Sequence, residues 1–308
     1  MYTFSEQKQI KIGDTPLVEL QTIQKKLGLS ARIFAKVEKE NSGGSIKDRV
    51  AQAILNDAEK TGALKSGGTV IEATSGNTGI GLAMLCKERG YRAVIVMPDT
   101  MSLERRRLLK SYGAEVVLTD GKGGMTASVE KANEILKNTP NAIMAKQFEN
   151  FAGVAAHYEG TAPEIERQLP ATLDVFVAAV GSGGTLTGVG KYFKEKNAAM
   201  RVVAVEPAKS PLLSQGRAGA HGIQGIGANF IPKILDTTLY DEVLTVTDED
   251  AIETAKLLKR EEDLFVGISS GANVAAAIAL AKREENFNKT IVTVLPDGGE
   301  RYEIWYNA

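Results

Sequence analysis

One cysteine in 308 residues, Cys86, removes two kinds of chemistry at once. No intramolecular disulfide can form, and no multi-cysteine metal site can be assembled. Histidine is almost as scarce: His157 and His221 have no second histidine or cysteine at ligand spacing, so no metal site is expected. An excess of charge of one sign is missing too. There are 37 basic and 38 acidic residues, a formal net charge of -1, which gives no basic field for nucleic acid and no acidic tail. No apolar run approaches membrane-spanning length, and the opening "MYTFSEQKQIKIG" lacks the apolar core of a signal peptide. Repeats and low-complexity tracts are absent as well. These absences leave a cytoplasmic protein with a small-molecule partner as the expectation.

What is present is core material. Hydrophobic residues make up 43% and charged residues 24%, enough for one large or two moderate α/β domains. From residue 69 onward the short runs "TVIEA", "AVIVM", "EVVLT", "VFVAAV", "RVVAVE" and "TIVTVL" alternate with helical patterns. The helices are predicted over 79–89, 101–112, 125–138, 186–196, 248–261 and 271–284. Near-continuous apolar strands separated by helices predict parallel sheets covered on both faces. The alternation pauses around 148–170, "FENFAGVAAHYEGTAPEIERQLP", and restarts at Val175, which predicts two lobes with a cleft between them. Cys86 lies on the apolar helix "IGLAMLCKERG" and reads as packed core. Met97, Met101 and Met125 read as packing residues, Met125 with a cleft-lining alternative because it follows a glycine-rich turn.

Three glycine-rich loops carry the chemistry. In open parallel sheets ligands bind beyond the carboxyl ends of strands, where a loop leads into a helix N-terminus. "TSGNTG", Thr74 to Gly79, follows "TVIEA", and "GSGGT", Gly181 to Thr185, follows "VFVAAV"; each opens a helix. Backbone N–H groups at such termini bind anions, so two anionic groups are expected. The third loop, "NSGGSIKDRV" at 41–50, sets two glycines and a serine ahead of Lys47. A lysine at such a turn is either a solvated charge or a positioned amine, and Asp48 and Arg49 behind it read as a structural pair or helix-start charges. No Walker A pattern occurs and neither strand–helix loop completes G-x-G-x-x-G, which makes a nicotinamide-dependent oxidoreductase the remote reading. A phosphate without a nucleotide, together with an amine at another glycine turn, points to pyridoxal phosphate held as a Schiff base on Lys47.

In order along nearly the whole chain stand "IGDTPLVEL" at 12–20, "NSGGSIKDR" at 41–49, "EATSGNTGIGLA" at 72–83, "GSGGTLTGVG" at 181–190, "QGIGANFIP" at 224–232, "GISSGANVAAA" at 267–277 and "LPDGGERY" at 295–302. With these the sequence resembles the cysteine synthases (O-acetylserine sulfhydrylases) of the fold-type II, tryptophan synthase β-like, pyridoxal-phosphate family, which also includes cystathionine β-synthase. Each run alone is weak; their order is specific. The resemblance implies two three-layer α/β/α lobes with mostly parallel sheets and the cofactor in the cleft between them. Residues 46–150 would form a smaller, mobile substrate-carboxylate lobe, and 1–45 plus 151–308 a larger cofactor-anchoring lobe. Lys47 would be the Schiff-base lysine and Asn77 the partner of the cofactor ring oxygen. Gly181, Ser182, Gly183, Gly184 and Thr185 would form the phosphate cup, with Ser182 where the family usually has threonine. Thr74, Ser75, Gly76 and Thr78, with Gln147, would take the substrate carboxylate. Ser269, rather than adjacent Ser270, would bond the pyridine nitrogen.

The implied reaction suits these groups. A hydroxyl partner does not strongly favour a protonated pyridine nitrogen, so the cofactor is a weaker electron sink than with an aspartate partner. The chemistry left is loss of the α-proton and the β-substituent, giving an aminoacrylate that a nucleophile attacks. Lys47 would be the general base with a pKa lowered by nearby cationic groups or helix-terminal dipoles, and closure of the "TSGNTG" lobe would shield the site from water. The family implies cysteine synthesis from O-acetylserine and sulfide, a homodimer, and docking of a serine acetyltransferase tail in the cleft. A non-catalytic docking protein is the reading from another class, disfavoured by the intact Lys47, Asn77 and cup. The chain ends just after the last family motif, so heme or adenosylmethionine control of the cystathionine β-synthase kind is not expected.

Four departures from the family cluster near the expected cleft. Ser42 stands for a proline, which loosens a rigid turn; the segment after Gln147 lacks prolines near 151 and 154; Gly298 stands for a serine; and "GIGANFIP" puts Asn229 where the family has glycine. An amide at 229 beside the reacting carbon would orient water or a polar substrate. That motivates a catalytic expectation for Asn229 and an alternative activity, release of hydrogen sulfide from L-cysteine with addition of water or a thiol.

Overall fold

The computed structural model describes residues 9–306, so the reading of the first eight residues lies outside it. Among the described residues ten strands form two sheets. They are β1 Leu17–Glu19, β2 Arg32–Val37, β3 Thr69–Ala73, β4 Arg92–Pro98, β5 Glu115–Thr119, β6 Ala142–Met144, β7 Val175–Ala179, β8 Arg201–Pro207, β9 Glu242–Val246 and β10 Thr290–Leu295. The six-stranded sheet runs β1-β2-β10-β7-β8-β9 and the four-stranded sheet β5-β4-β3-β6. Every pairing is parallel except β1 with β2, an antiparallel edge. The α/β class and the parallel sheets are therefore as expected.

The parallel strands are apolar on both faces because helices cover both. Val175, Phe176, Val177 and Ala178 of β7 and Ile291, Val292, Val294 and Leu295 of β10 are all buried. Each such side chain contributes about 1.5–3 kcal/mol for Val, Leu, Ile or Phe, so the sheet centres hold the fold and free the strand ends for polar work. The expected helices are present as Asn77–Arg89, Leu103–Ser111, Gly124–Asn138, Gly184–Lys196, Asp248–Glu262 and Ile268–Ala281. The pause at 148–170 is helical: Ala152–Ala156, a π-helical turn His157–Thr161, and Ala162–Gln168. Cys86 and Met97 are wholly buried, whereas Met101 lines the large cleft together with Met125. Met101 packs against the core as expected and also lines the cleft, and Met125 takes its cleft alternative. No helix among the described residues is long and apolar enough to cross a membrane.

Both sheets are wound the same way. The chain lays down β3, β4, β5 outward and returns to place β6 on the other side of β3; it lays down β7, β8, β9 and returns to place β10 beside β7. Each return creates a switch point, where loops at the carboxyl ends of neighbouring strands diverge and leave a crevice. The first crevice lies between the loops after β3 and β6, the second between those after β7 and β10. "TSGNTG" and Gln147 flank the first, and "GSGGT" and Asp297 the second.

Candidate active site

Lys47 begins the helix Lys47–Lys60, and its placement comes from the loop ahead of it. Gly44 has φ +80, Gly43 N–H donates to Asp48 Oδ2 at 2.6 Å, and Ile46 N–H donates to the Pro296 carbonyl at 2.8 Å. A Cβ on Gly43 would lie 2.5 Å from Asp48 Oδ1, so the turn requires glycine there. Lys47 Nζ reaches Ser182 Oγ at 3.4 Å. Burial lowers the amine from 10.5 to about 8, against an opposing pull from the Asp297 carboxylate.

The inner cavity, about 60 Å³, lies at the second crevice. Lys47, Asn77, Gly181, Ser182, Gly183, Thr185 and Ser269 line it; Gly184 opens the helix Gly184–Lys196 behind it, and Ser270 does not reach the lining. A Cβ on Gly181 would lie 2.4 Å from the Gly225 carbonyl, and Gly183 has φ +86. Asn77 donates from Nδ2 to Asp297 Oδ2 at 2.7 Å and accepts from Arg301, leaving one amide hydrogen free for a ligand. Asp297 is 1% exposed; Tyr302 donates to its Oδ2 at 2.7 Å, while its Oδ1 has no partner. Burial raises the Asp297 carboxyl above its usual range. Asp297, Arg301 and Tyr302 all lie in the quoted "LPDGGERY" run, but sequence reasoning gave them no role.

The outer cleft, about 990 Å³, opens from the inner cavity and shares Lys47, Asn77, Gly181 and Ser182 with it. Thr74, Ser75, Gly76, Thr78 and Gln147 all line this cleft, at the first crevice. Thr78 Oγ1 donates to Gln147 Oε1 at 2.6 Å, and Gln147 Nε2 donates to Thr74 Oγ1 at 3.5 Å. Gln147 is held from behind by Glu72, which sequence reasoning missed. The Glu72 carboxylate accepts from the Lys146 N–H at 2.8 Å and the Gln147 N–H at 3.2 Å, fixing a turn in which Lys146 has φ +53. Burial raises Glu72 from 4.5 to about 7, against those two bonds.

Asn229 is not brought to the site. It is exposed, it does not line either cavity, and its Oδ1 accepts from Ser210 Oγ at 2.7 Å. Its φ is +63, a left-handed position that glycine and asparagine both fill, so the departure from glycine answers a backbone need. Two other expectations change. The Ser42 turn is not loosened, because Ser42 Oγ accepts from the Lys11 N–H at 2.7 Å and donates to the Lys11 carbonyl at 3.0 Å. For Asp48 and Arg49 the helix-start reading holds and the pair reading does not: both lie in the first turn of Lys47–Lys60, where Asp48 holds the glycine turn and Arg49 binds Glu38 and Glu164. At Gly298 an added Cβ would meet only the movable Glu300 carboxylate.

A parallel α/β fold with a buried amine beside a glycine-lined helix N-terminus has the groups to anchor a phosphorylated carbonyl cofactor. The chain belongs to the pyridoxal-phosphate-dependent enzyme family, which it matches over residues 9–297. It is 52% identical over 291 residues to cysteine synthase B of Campylobacter jejuni, covering 94% of each chain. It is similar to the solved cysteine synthase of Entamoeba histolytica, with TM-score 0.93 and 40% identity over 100% of this chain and 94% of that one. It is also similar to a hydrogen sulfide-producing enzyme of Fusobacterium nucleatum, with TM-score 0.89 and 44% identity over 94% of this chain and 97% of that one. The cofactor is pyridoxal phosphate, and the residues fit it: an amine for its carbonyl, a helix N-terminus for its phosphate, and a neutral hydroxyl at Ser269.

The fit makes Gly183 testable. An added Cβ would sit 2.7 Å from Leu235 Cβ, and the left-handed backbone costs a side chain about 1–2 kcal/mol. Gly183→Ala protein is therefore expected to retain cofactor at least roughly tenfold more weakly. Visible absorbance after dialysis measures this; unchanged retention would mean that the loop does not carry the phosphate.

Proposed function

We propose that the protein is a cysteine synthase, replacing the β-substituent of O-acetylserine with sulfide to make L-cysteine. The observation that carries this reading is the Lys47 amine, shared by two adjoining cavities, one with the Gly181–Thr185 helix terminus and one with the Thr74–Thr78 and Gln147 pocket. Bound there, pyridoxal phosphate supplies an electron sink for charge developing at the substrate α-carbon. Lys47 Nζ anchors the cofactor and then takes the α-proton, a task its lowered pKa suits. Gly181, Ser182, Gly183, Gly184 and Thr185 hold the phosphate, Asn77 the ring oxygen and Ser269 the ring nitrogen. Thr74, Ser75, Gly76, Thr78 and Gln147 fix the substrate carboxylate, and this orientation supplies much of the rate advantage. Residues 46–150 act as the smaller lobe, closing against 1–45 plus 151–308 to exclude water. A cytoplasmic homodimer belongs to the same proposal, as does a serine acetyltransferase tail docking at the cleft mouth, where Phe230 is exposed.

A second reading, sulfide release from L-cysteine, is favoured by the similarity to the Fusobacterium enzyme. Visible spectra of the purified protein with O-acetylserine and, separately, with L-cysteine, alongside a sulfide assay, decide between them. Cysteine formation from O-acetylserine with no sulfide released from cysteine supports the first reading. Sulfide release as the faster reaction supports the second, and a colourless protein that takes up no cofactor would sink both.

Glu72 gives a further check on the carboxylate pocket. Glu72→Ala removes both acceptors from the Lys146–Gln147 turn, and losing one charge-assisted bond costs about 1.5–3 kcal/mol. The expected result is a fall in kcat/KM for O-acetylserine of roughly tenfold or more, mainly through KM, with cofactor content unchanged. An unchanged KM would remove Gln147 from the substrate pocket.

A further inference from the structure

Behind the glycine cup lies a buried imidazole that no step above uses. His157 is 1% exposed and starts the π-helical turn His157–Thr161. Its Nδ1 stands 2.9 Å from Thr161 Oγ1 and its Nε2 3.2 Å from Thr185 Oγ1. Thr161 is wholly buried, whereas Thr185 lines the inner cavity. Gly188 lets the Gly184–Lys196 helix pack closely on this turn, since an added Cβ would come within 2.8 Å of His157 Cβ. Burial, then the Arg49 and Lys47 cations, push the imidazole well below its ordinary value, against a weaker opposing pull from Glu164. The ring is therefore neutral, with one N–H and one lone pair.

Each hydroxyl has one hydrogen, so only two arrangements satisfy this chain. If Nδ1 carries the proton, Thr185 must give its hydrogen to Nε2, and only its lone pairs face the cup. If Nε2 carries the proton, Thr161 donates to Nδ1 and Thr185 keeps its hydrogen for the cup. An anion repels the first arrangement and accepts a hydrogen bond from the second. We infer that His157 is a positioning residue for the phosphate cup: its Nε2–H donates to Thr185 Oγ1, which holds the Thr185 hydroxyl as a donor to the cofactor's phosphate. This rests on reading Gly181–Thr185 as the phosphate site.

The test uses the holoenzyme with 15N-labelled histidine. With two histidines in the chain the spectrum is simple, and His157→Gln identifies the His157 signals by their loss. The expected result is a protonated Nε2 and an unprotonated Nδ1 at neutral pH. A protonated Nδ1 in the yellow holoenzyme would overturn the inference while leaving the phosphate reading intact. His157→Met deletes both hydrogen bonds, whereas His157→Gln puts an amide N–H near the Nε2 position. His157→Met is expected to lose cofactor roughly ten- to a hundredfold more readily and to shift the 31P signal of the bound phosphate, with His157→Gln close to wild type. In a Thr185→Val background the effect of His157→Met should vanish, because the two act through one hydrogen bond. Equal losses in the Met and Gln variants, or a full effect without the Thr185 hydroxyl, would mean packing alone and overturn the inference. A protein that takes up no pyridoxal phosphate would overturn the phosphate reading and this inference with it.

Discussion

Lys47→Ala protein will bind pyridoxal phosphate without a covalent link and turn over at least roughly a thousandfold more slowly, the scale expected when a general base is removed. The substitution should leave the fold standing. Lys47 is the first residue of its helix, and the packing against the four-stranded sheet comes from Val50, Ala51, Ile54 and Leu55 further along. The amine has two duties, anchor and base, so a small added amine would restore only part of the rate, by replacing the base without the tether. Borohydride reduction followed by peptide mass analysis should place the cofactor on the peptide carrying Lys47 in the wild type and nowhere in the variant. With its pKa at about 8, the amine is mostly protonated below that pH and mostly a free base above it. Proton removal from the substrate should therefore accelerate as pH rises and level off above about 8. A cofactor-derived mass on another lysine, or a pH-independent rate, would refute the assignment.

Arg49→Met will destabilise the protein by about 3–5 kcal/mol, the cost of leaving a buried charge without its partner. Arg49 binds Glu38 through Nε and a terminal nitrogen at 2.7 and 2.9 Å, and Glu164 through both terminal nitrogens at 2.7 Å. Lys36, wholly buried, completes a balanced set of two cations and two carboxylates by binding Glu164 at 2.7 Å. Without Arg49 one negative charge remains uncompensated; an exposed pair such as Lys196–Glu166 contributes about 0–1 kcal/mol by contrast. Equilibrium urea unfolding measures the loss, and a loss under about 1 kcal/mol would show that solvent reaches the cluster. Glu164 also sets a pH signature. Burial pushes its carboxyl up, but hydrogen bonds from Arg49 and Lys36 outweigh this and hold it at about 2, below the ordinary 4.5. Its stabilising contribution is complete above pH 4.5 and is lost as pH falls toward about 2. In Arg49→Met protein the acid-unfolding midpoint should move upward.

The parts of this molecule legible in the sequence are those whose cause is local. Parallel strands announced themselves as apolar runs, and Lys47, "TSGNTG" and "GSGGT" stood out because a turn into a helix needs glycines next to one another. β1, β2, β6 and β9 did not: β1 and β6 are only three residues long, β9 is mostly half-buried, and β2, although central and buried, is broken up in sequence by Arg32 and Lys36. His157, Glu72 and Asp297 were invisible for another reason. Each is an ordinary residue in its own stretch and acquires a role only when a return crossover brings a distant loop against it. Asn229 misled in the opposite direction: next to a family motif it read as chemistry, but its φ shows a backbone requirement that sequence neighbours do not reveal. Arg49 was legible as a helix-start charge but its partners were not, since adjacency in the chain says nothing about which carboxylates a helix will face.

Cys86 has a consequence for an enzyme that handles sulfide. It is wholly buried, and burial pushes its thiol up to about 12, so it carries almost no thiolate at neutral pH. The protein therefore offers no reactive thiol of its own to be carried to a sulfenic acid or a mixed disulfide when an oxidant is present. Thiol reagents added to the native enzyme should register no protein thiol above the substrate and product, and Cys86 should stay a free thiol through many turnovers in a sulfide-rich, intermittently oxidising solution.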